Sequence, residues 1–234
     1  MAPLSPPLVT FDAGQTLVDL DLELLARRLA ERGVRVAPAA LGDAAPGAWR
    51  RYDELVDQRH GHPWHELMET LLAGAGVRQA GLVDWLWQEQ PRVNLWRRPI
   101  PDMVALAREL AAAGVAVAVL SNSEGRLAEL LEEIGLAAPF LAIIDSGRVG
   151  IEKPDRRIFD HALARTGRAA GIHIGDSWTA DVEGALGAGW RAVWYGRRAA
   201  PVDDPRVAPR VAVARSADEV RAALARWGVP AGGA

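Results

Sequence analysis

The 234-residue chain contains no cysteine, which excludes disulfides and thiolate metal sites. No apolar run in the sequence approaches the length of about 20 residues that a membrane-spanning helix needs. The formal net charge of -3 leaves no basic excess for nucleic acid. Residues 1–7 lack the basic start and long apolar stretch of a secretory signal. These absences favour a cytoplasmic protein that binds neither membrane nor nucleic acid.

Lysine is almost absent as well. Of the 27 lysines and arginines, only Lys153 is a lysine. The two residue types serve equally well on most surfaces, but a planar guanidinium cannot replace a compact ammonium held close to another charge. Lys153 is therefore a candidate for chemistry, and the alternative is that it survived by chance.

The remaining composition is that of an ordinary globular protein, with 50% hydrophobic and 24% charged residues. From about residue 96 onward, short apolar runs alternate with helical patterns, and a further apolar run covers residues 8–11. This alternation predicts an α/β fold, a Rossmann-like doubly wound parallel sheet with helices on both faces. The predicted strands cover residues 8–11, 115–120, 142–144, 172–174, 192–195 and, at the sheet edge, 211–213.

An all-helical insertion separates the first strand from the others. Apolar residues recur at helical spacing in four groups, and prolines and glycines such as Pro38 and Pro46 separate them. We therefore expect a core domain of residues 1–17 and 96–234 and a helical cap domain of residues 18–95, without a strand. Most of the tryptophans in the insertion are expected in its core. The four apolar groups are Leu20/Leu24/Leu25/Leu29, Trp49/Tyr52/Leu55, Leu67/Leu71/Leu72 and Leu82/Trp85/Leu86.

Polar side chains follow the predicted strands where each strand ends. They are Asp12, Ser121 with Asn122, Lys153, and Asp176 with Asp181. In an open parallel sheet, ligands bind beyond the carboxyl ends of the strands. Each Asp or Ser alone is more typical of a helix N-cap, but three carboxylates at one edge need counter-charge. Lys153 supplies one positive charge, and Mg²⁺ suits the remaining oxygen ligands.

Four segments resemble the four motifs of the haloacid dehalogenase-like (HAD) hydrolase superfamily, in the order found in members with a helical cap. They are Phe-Asp-Ala-Gly-Gln-Thr-Leu at 11–17, Leu-Ser-Asn-Ser at 120–123, Gly-Ile-Glu-Lys-Pro-Asp at 150–155, and His-Ile-Gly-Asp-Ser-Trp-Thr-Ala-Asp at 173–181. The resemblance implies a Mg²⁺-dependent phosphatase that acts on a small phosphorylated metabolite through an aspartyl-phosphate.

The same resemblance assigns roles to individual residues. Asp12 would be the nucleophile, and Ser121 and Lys153 would hold the phosphoryl group, with Asn122 helping to bind substrate. The metal would be held by Asp12, the carbonyl of Gly14, and Asp176, with Asp181 orienting the metal shell.

Gly14 departs from the motif, because phosphatases of this superfamily usually carry an Asp at that position as the general acid and base. Losing such a group typically costs about 10²- to 10⁴-fold in rate. Three hypotheses remain open. The first is a phosphatase that works best on good leaving groups, such as acyl or aryl phosphates, or that borrows an acid from its cap or from the substrate. The second is a hydrolase that uses Asp12 on carbon, like the haloacid dehalogenases. The third is a degenerate member that binds a phosphometabolite or a partner. Asp176 and Asp181 oppose the second hypothesis, since the dehalogenases work without metal.

A histidine cluster in the insertion offers a separate alternative. His60, His62 and His65 lie in Arg-His-Gly-His-Pro-Trp-His-Glu at 59–66, and histidines are common zinc ligands. Gly61 and Pro63 break any helix through the segment, so a helical zinc site is not available there. We expect instead a cap loop whose histidines can contact substrate.

Overall fold

The computed structural model describes residues 6–57 and 63–230. The chain forms two compact units. The first unit contains the N-terminal strand, extends to Asp19 and resumes at Arg97, and the second consists of Leu20–Trp96. No helix within the described ranges is long and apolar enough to cross a membrane.

Within residues 6–19 and 97–230 of the first unit, six parallel strands form the sheet. They are β1 (Leu8–Phe11), β4 (Val117–Ser121), β5 (Ala142–Asp145), β6 (Gly171–Gly175), β7 (Arg191–Tyr195) and β8 (Val211–Ala214). Their spatial order is β5-β4-β1-β6-β7-β8, so β8 is an edge strand as predicted. β1 lies in the centre, with Phe11 level with Val119 on one side and Ile174 on the other. Because the six strands are parallel, their carboxyl ends lie at one edge of the sheet, and the polar residues that follow them meet there.

Helices flank this sheet. They are α5 (Pro101–Ala112), α6 (Leu127–Glu133), α7 (Ser146–Val149), α8 (Arg156–Thr166), α9 (Gly184–Gly187) and α10 (Ala217–Arg226), and a π-helical turn, Trp178–Glu183, precedes α9. α8 and α9 pack through Phe159 and Ala185 on the face that carries Leu8 and Ala118. α5 and α10 contact each other and the strands β4 and β8. The prediction of a Rossmann-like parallel sheet with flanking helices is confirmed.

The described residues of the second unit form four helices: α1 (Leu22–Glu31), α2 (Pro38–Asp57), α3 (Trp64–Gly74) and α4 (Leu82–Glu89). Their buried side chains form one cluster around Leu25, Leu29, Met68 and Leu71. Trp64 is buried in this cluster, whereas Trp87 is 43% exposed. The expectation that most tryptophans are core residues therefore does not extend to Trp87.

The sequence prediction was wrong in two details of this region. Val18–Leu20 (β2) and Trp96–Pro99 (β3) form a two-stranded sheet where no strand was expected. Leu20 belongs to β2 and not to the first helix. The side chain of Asp21 accepts a hydrogen bond from Leu24 N at 2.8 Å and caps α1, so the helix begins only after Asp21. Pro46 lies inside α2 and does not end the helix.

Candidate active site

The ammonium of Lys153 lies among three oxygen atoms. Nζ donates to Asp12 Oδ1 at 2.6 Å, to Asp181 Oδ1 at 2.6 Å and to the carbonyl of Leu120 at 2.9 Å. The side chain is only 2% exposed. A guanidinium is too wide and too rigid to place one nitrogen among three such acceptors. The single lysine of the chain thus occupies a position that arginine does not fit.

The carboxylates approach Lys153 from two neighbouring strands. Asp12 follows β1, and Asp176 and Asp181 follow β6. One oxygen from each of the three carboxylates lies within 4.8 Å of the others. Since β1 and β6 are adjacent and parallel, their carboxyl ends bring these residues together.

Asp181 is held by the π-helical turn on which it lies. Ser177 N donates to Asp181 Oδ2 at 2.8 Å, and the Ser177 side chain caps the turn by accepting from Ala180 N at 3.2 Å. The N–H of Val182 also reaches the carbonyl of Ser177 at 3.3 Å, which widens the turn beyond the α-helical spacing. Such π-helical turns occur frequently at functional sites.

A histidine completes the buried network, and it was missed at the level of sequence. His173 lies in β6 with no exposed surface. Its Nε2 is 3.0 Å from Asp181 Oδ1, and its Nδ1 is 2.8 Å from Thr10 Oγ1. The sequence does show a polar residue between Ile172 and Ile174 in a predicted buried strand, and this could have indicated a role for His173. It does not show that Thr10 lies opposite His173 in the neighbouring strand.

The charges of the cluster do not balance. Burial and the charges of Asp181 and Asp12 raise the pKa of Asp176 well above its usual range. Burial raises the pKa of Asp12, although Lys153 opposes this. Burial acts to lower the pKa of Lys153, but Asp12 and Asp181 outweigh it and raise that pKa. Burial acts to raise the pKa of Asp181, but Lys153 and His173 hold it below its usual range. One ammonium therefore leaves the three carboxylates short of positive charge.

These residues fit a divalent cation. Oxygen ligands from one or two carboxylates, together with water and phosphate, are the set that Mg²⁺ takes. Asp12 and Asp176 can supply carboxylate oxygens, whereas both oxygens of Asp181 already accept hydrogen bonds. A bound cation would also remove the electrostatic cost that raises the pKa of Asp176.

Ser121 and Asn122 lie at the carboxyl end of β4. Ser121 ends β4 and is buried. The side-chain amide of Asn122 binds the backbone of Lys153 with both of its groups: Nδ2 donates to Lys153 O at 3.0 Å, and Lys153 N donates to Oδ1 at 2.8 Å. The amide of Asn122 therefore holds the Lys153 segment in place.

Gly14 has no side chain, and the residue after it has an unusual backbone conformation. Gln15 has a φ of 56°, in the left-handed region that residues other than glycine seldom adopt. Its Oε1 accepts a hydrogen bond from Arg197, which follows β7. Arg197 also acts to lower the pKa of Asp176, although the net shift of that group is upward.

The histidines of the helical unit are only partly described. His60 and His62 lie outside the described residues. His65 is the second residue of α3, and its ring lies 5.2 Å from that of Trp87 and 5.4 Å from that of Trp64. His65 thus belongs to an aromatic cluster in the part of the unit that the structure describes.

Comparison with known proteins identifies the family. A family model of the haloacid dehalogenase-like hydrolases matches residues 7–189, which is more than half of the chain. That range includes the nucleophile candidate Asp12, Lys153 and the three-carboxylate cluster. The chain belongs to this family, and it is a HAD-like hydrolase.

Individual relatives agree with this assignment. The chain is 32% identical over 198 residues to haloacid dehalogenase-like hydrolase domain-containing protein 3 of Bos taurus, with 78% of each chain covered. It is 38% identical over 143 residues to the phosphoserine phosphatase of Thermus thermophilus, covering 60% of this chain and 55% of the relative. The fold is similar to that of a solved structure, the HAD-hydrolase YfnB from Bacillus subtilis bound to magnesium. That match has a TM-score of 0.65 at 23% identity and covers 94% of this chain and 98% of the other.

Proposed function

We propose that the protein is a Mg²⁺-dependent phosphatase for a small phosphorylated metabolite and works through an aspartyl-phosphate on Asp12. The observation that carries the proposal is the buried Lys153 ammonium, which lies 2.6 Å from both Asp12 and Asp181 beside Asp176. Such a cluster places a carboxylate nucleophile next to positive charge, as phosphoryl transfer requires. The similarity to a phosphoserine phosphatase supports the same class of reaction.

The proposed reaction has two steps. A carboxylate oxygen of Asp12 forms a bond to phosphorus, and the electron pair of the breaking P–O bond leaves with the substrate oxygen. Water then attacks the phosphorus of the aspartyl-phosphate, and the P–O bond to Asp12 breaks with its electron pair returning to the carboxylate. The protons of the water leave with the released phosphate or pass to solvent. Ser121 binds the phosphoryl oxygens, the Lys153 ammonium balances the charge of Asp12 and of the phosphoryl group, and Asn122 holds the backbone of Lys153.

The metal site of the proposal consists of Asp12, the Gly14 carbonyl and Asp176, with Asp181 orienting its shell through Lys153 and Ser177 N. When bound, Mg²⁺ supplies positive charge that offsets the charge on the phosphoryl oxygens. The residues of this chain position the nucleophile and the phosphoryl group around it.

Gly14 sets the substrate class. Because no side chain at this position can protonate the leaving oxygen, the leaving group departs as a stable anion unless the cap or the substrate supplies the proton. Acyl and aryl phosphates meet this condition, whereas alkyl phosphates do not. We therefore propose substrates with acidic leaving groups. We also propose that the protein acts in the cytoplasm, in keeping with the composition and charge of the chain.

Phosphate release is the direct test. The wild type should hydrolyse acetyl phosphate and p-nitrophenyl phosphate with Mg²⁺, lose this activity on chelation and regain it when Mg²⁺ is restored. Asp12→Asn should abolish turnover, and mass spectrometry of acid-quenched wild type should find phosphate on Asp12. Asp160→Asn, which changes an exposed carboxylate on α8, is the matched control and should retain full activity.

Other results would select the remaining hypotheses. Chloride release from 2-chloropropionate without Mg²⁺ would indicate chemistry on carbon. Folded, metal-loaded protein that hydrolyses no member of a broad phosphate panel would indicate a binding protein instead.

A further inference from the structure

The imidazole of His173 connects the central strand of the sheet to the carboxylate cluster. It has no exposed surface, and the Phe159 ring packs edge-on against it at 5.7 Å. Its Nδ1 lies 2.8 Å from Thr10 Oγ1, and its Nε2 lies 3.0 Å from Asp181 Oδ1. Both ring nitrogens therefore have polar neighbours, which packing alone does not require.

Counting donors assigns the proton on this ring. The Lys153 ammonium has three N–H groups, and three oxygens surround it at 2.6, 2.6 and 2.9 Å. Nε2 of His173 is farther away, at 3.4 Å, so it receives none of these hydrogens. The Asp181 carboxylate can only accept, and the short Nε2 to Oδ1 contact therefore needs a proton on Nε2.

The Thr10 hydroxyl is the hydrogen-bond partner of Nδ1, the other nitrogen of the same ring. With the proton on Nε2, Nδ1 is an acceptor, and the Thr10 hydroxyl donates to it. The alternative acceptor for this hydroxyl, the carbonyl of Ile172, is farther away, at 3.4 Å. The Lys153 ammonium lies 3.4 Å from Nε2 and would repel a second positive charge there, which agrees with a neutral ring.

The hydrogen bond from His173 completes the restraint on Asp181. Oδ1 of Asp181 accepts from Lys153 and from His173, and Oδ2 accepts from Ser177 N. A neutral donor orients this carboxylate without adding positive charge that would compete with a cation. Because Lys153 bridges Asp181 and Asp12, the orientation of Asp181 also fixes the ammonium beside the nucleophile.

We propose that His173 is a positioning residue that holds Asp181 through its Nε2–H, and that the Thr10 hydroxyl keeps it in that tautomer. The metal-affinity and kinetic parts of its test rest on the proposed Mg²⁺-dependent function, whereas the tautomer part does not. Metal affinity and the ring tautomer are measured without turnover.

Four variants separate positioning from packing. His173→Phe keeps a ring that packs against Phe159 but removes both nitrogens, whereas His173→Gln keeps an N–H near the position of Nε2. Thr10→Val removes the hydroxyl at nearly constant shape. His161→Phe, at a partly exposed histidine on α8, is the control. Thermal unfolding of each variant establishes that it is folded.

The positioning role predicts a specific pattern of effects. His173→Phe should weaken Mg²⁺ binding, measured by calorimetry, by about 10- to 100-fold, as loss of an outer partner typically does. Its kcat should fall by a similar factor with little change in KM. His173→Gln should recover most of both losses, and His161→Phe should match the wild type. A folded His173→Phe protein with wild-type Mg²⁺ affinity would overturn the proposal.

The tautomer provides the second readout. Nitrogen-15 NMR of histidine-labelled, metal-free protein should show a proton on Nε2 and none on Nδ1, and Thr10→Val should broaden this into a mixture of tautomers. A proton on Nδ1 in the wild type would refute the assignment, and these spectra decide the matter if His173→Phe does not fold. Wild type that binds Mg²⁺ but hydrolyses no phosphate compound would refute the proposed function alone. Wild type that binds no Mg²⁺ would overturn both.

Discussion

A methyl group on Gly175 would lie 2.3 Å from Cγ and 2.3 Å from Oδ2 of Asp181. The carboxylate of Asp181 therefore packs directly against the Cα of Gly175, and any other side chain would displace it. Gly175 is not among the glycines with a positive φ, so the requirement is for space and not for backbone conformation. The strand that ends at Gly175 thus defines where the carboxylate of the following turn can lie.

We expect Gly175→Ala to displace Asp181 and with it the Lys153 ammonium. A shift of about 1 Å in a catalytic group can cost roughly 10²-fold in rate, so kcat for acetyl phosphate should fall on that scale. Gly187→Ala is the control, because a methyl group there meets nothing within 4 Å. A folded Gly175→Ala protein with wild-type kcat would show that Asp181 can move without consequence.

Lys153→Arg should fail almost as badly as Lys153→Ala. Removing one group that stabilises transition-state charge typically costs about 10²- to 10³-fold in kcat. Lys153→Ala should also destabilise the fold by about 3–5 kcal/mol in urea unfolding, since it leaves buried carboxylates without their partner. Arg156→Lys, on the exposed surface of α8, should change neither quantity. Substantial kcat in Lys153→Arg would mean that only charge matters at this position.

The sequence predicted the parts of the fold that repeat a local pattern. Apolar runs such as residues 115–120 predicted buried strands, and the polar residues that follow them predicted the site at one sheet edge. The same approach failed for Leu20, whose spacing to Leu24 is helical although Asp21 begins the helix after it. It also failed for Pro46, because a proline is a local signal and the packing of α2 overrides it.

His173 shows why the rest of the site required the structure. Its neighbours Thr10 and Asp181 are separated from it by 163 and 8 positions, and strand order alone determines that Thr10 lies opposite. Asn122 gives a second example, because its contacts with the backbone of Lys153 arise across 31 positions. Periodicity and motif spacing do not report such pairings.

Asp145 is a buried carboxylate at the same sheet edge, but its contacts indicate a structural role. It ends β5 and accepts from the backbone N–H groups of Gly125, Leu127 and Gly147 at 3.0, 2.9 and 2.9 Å. Asp145→Asn removes one acceptor and should lower the free energy of unfolding by about 1–3 kcal/mol. Urea unfolding measures this loss, and Asp160→Asn is the exposed control. A loss of kcat without a loss of stability would instead place Asp145 in the catalytic machinery.

Gly14→Asp tests whether the missing acid limits the reaction. Gly14 is not among the glycines with a positive φ, so its backbone conformation does not exclude a side chain. A carboxyl group there could protonate an alkoxide leaving group, and general acid–base catalysis typically contributes about 10²- to 10⁴-fold. We expect kcat to rise more for alkyl phosphates than for acetyl phosphate, whose leaving group needs no proton and which can gain only from the activation of water in the second step. Gly14→Asn has nearly the same size without an acid, and it should give no gain. Equal effects of Asp and Asn, or a lower rate with both, would mean that Gly14 provides space for the substrate.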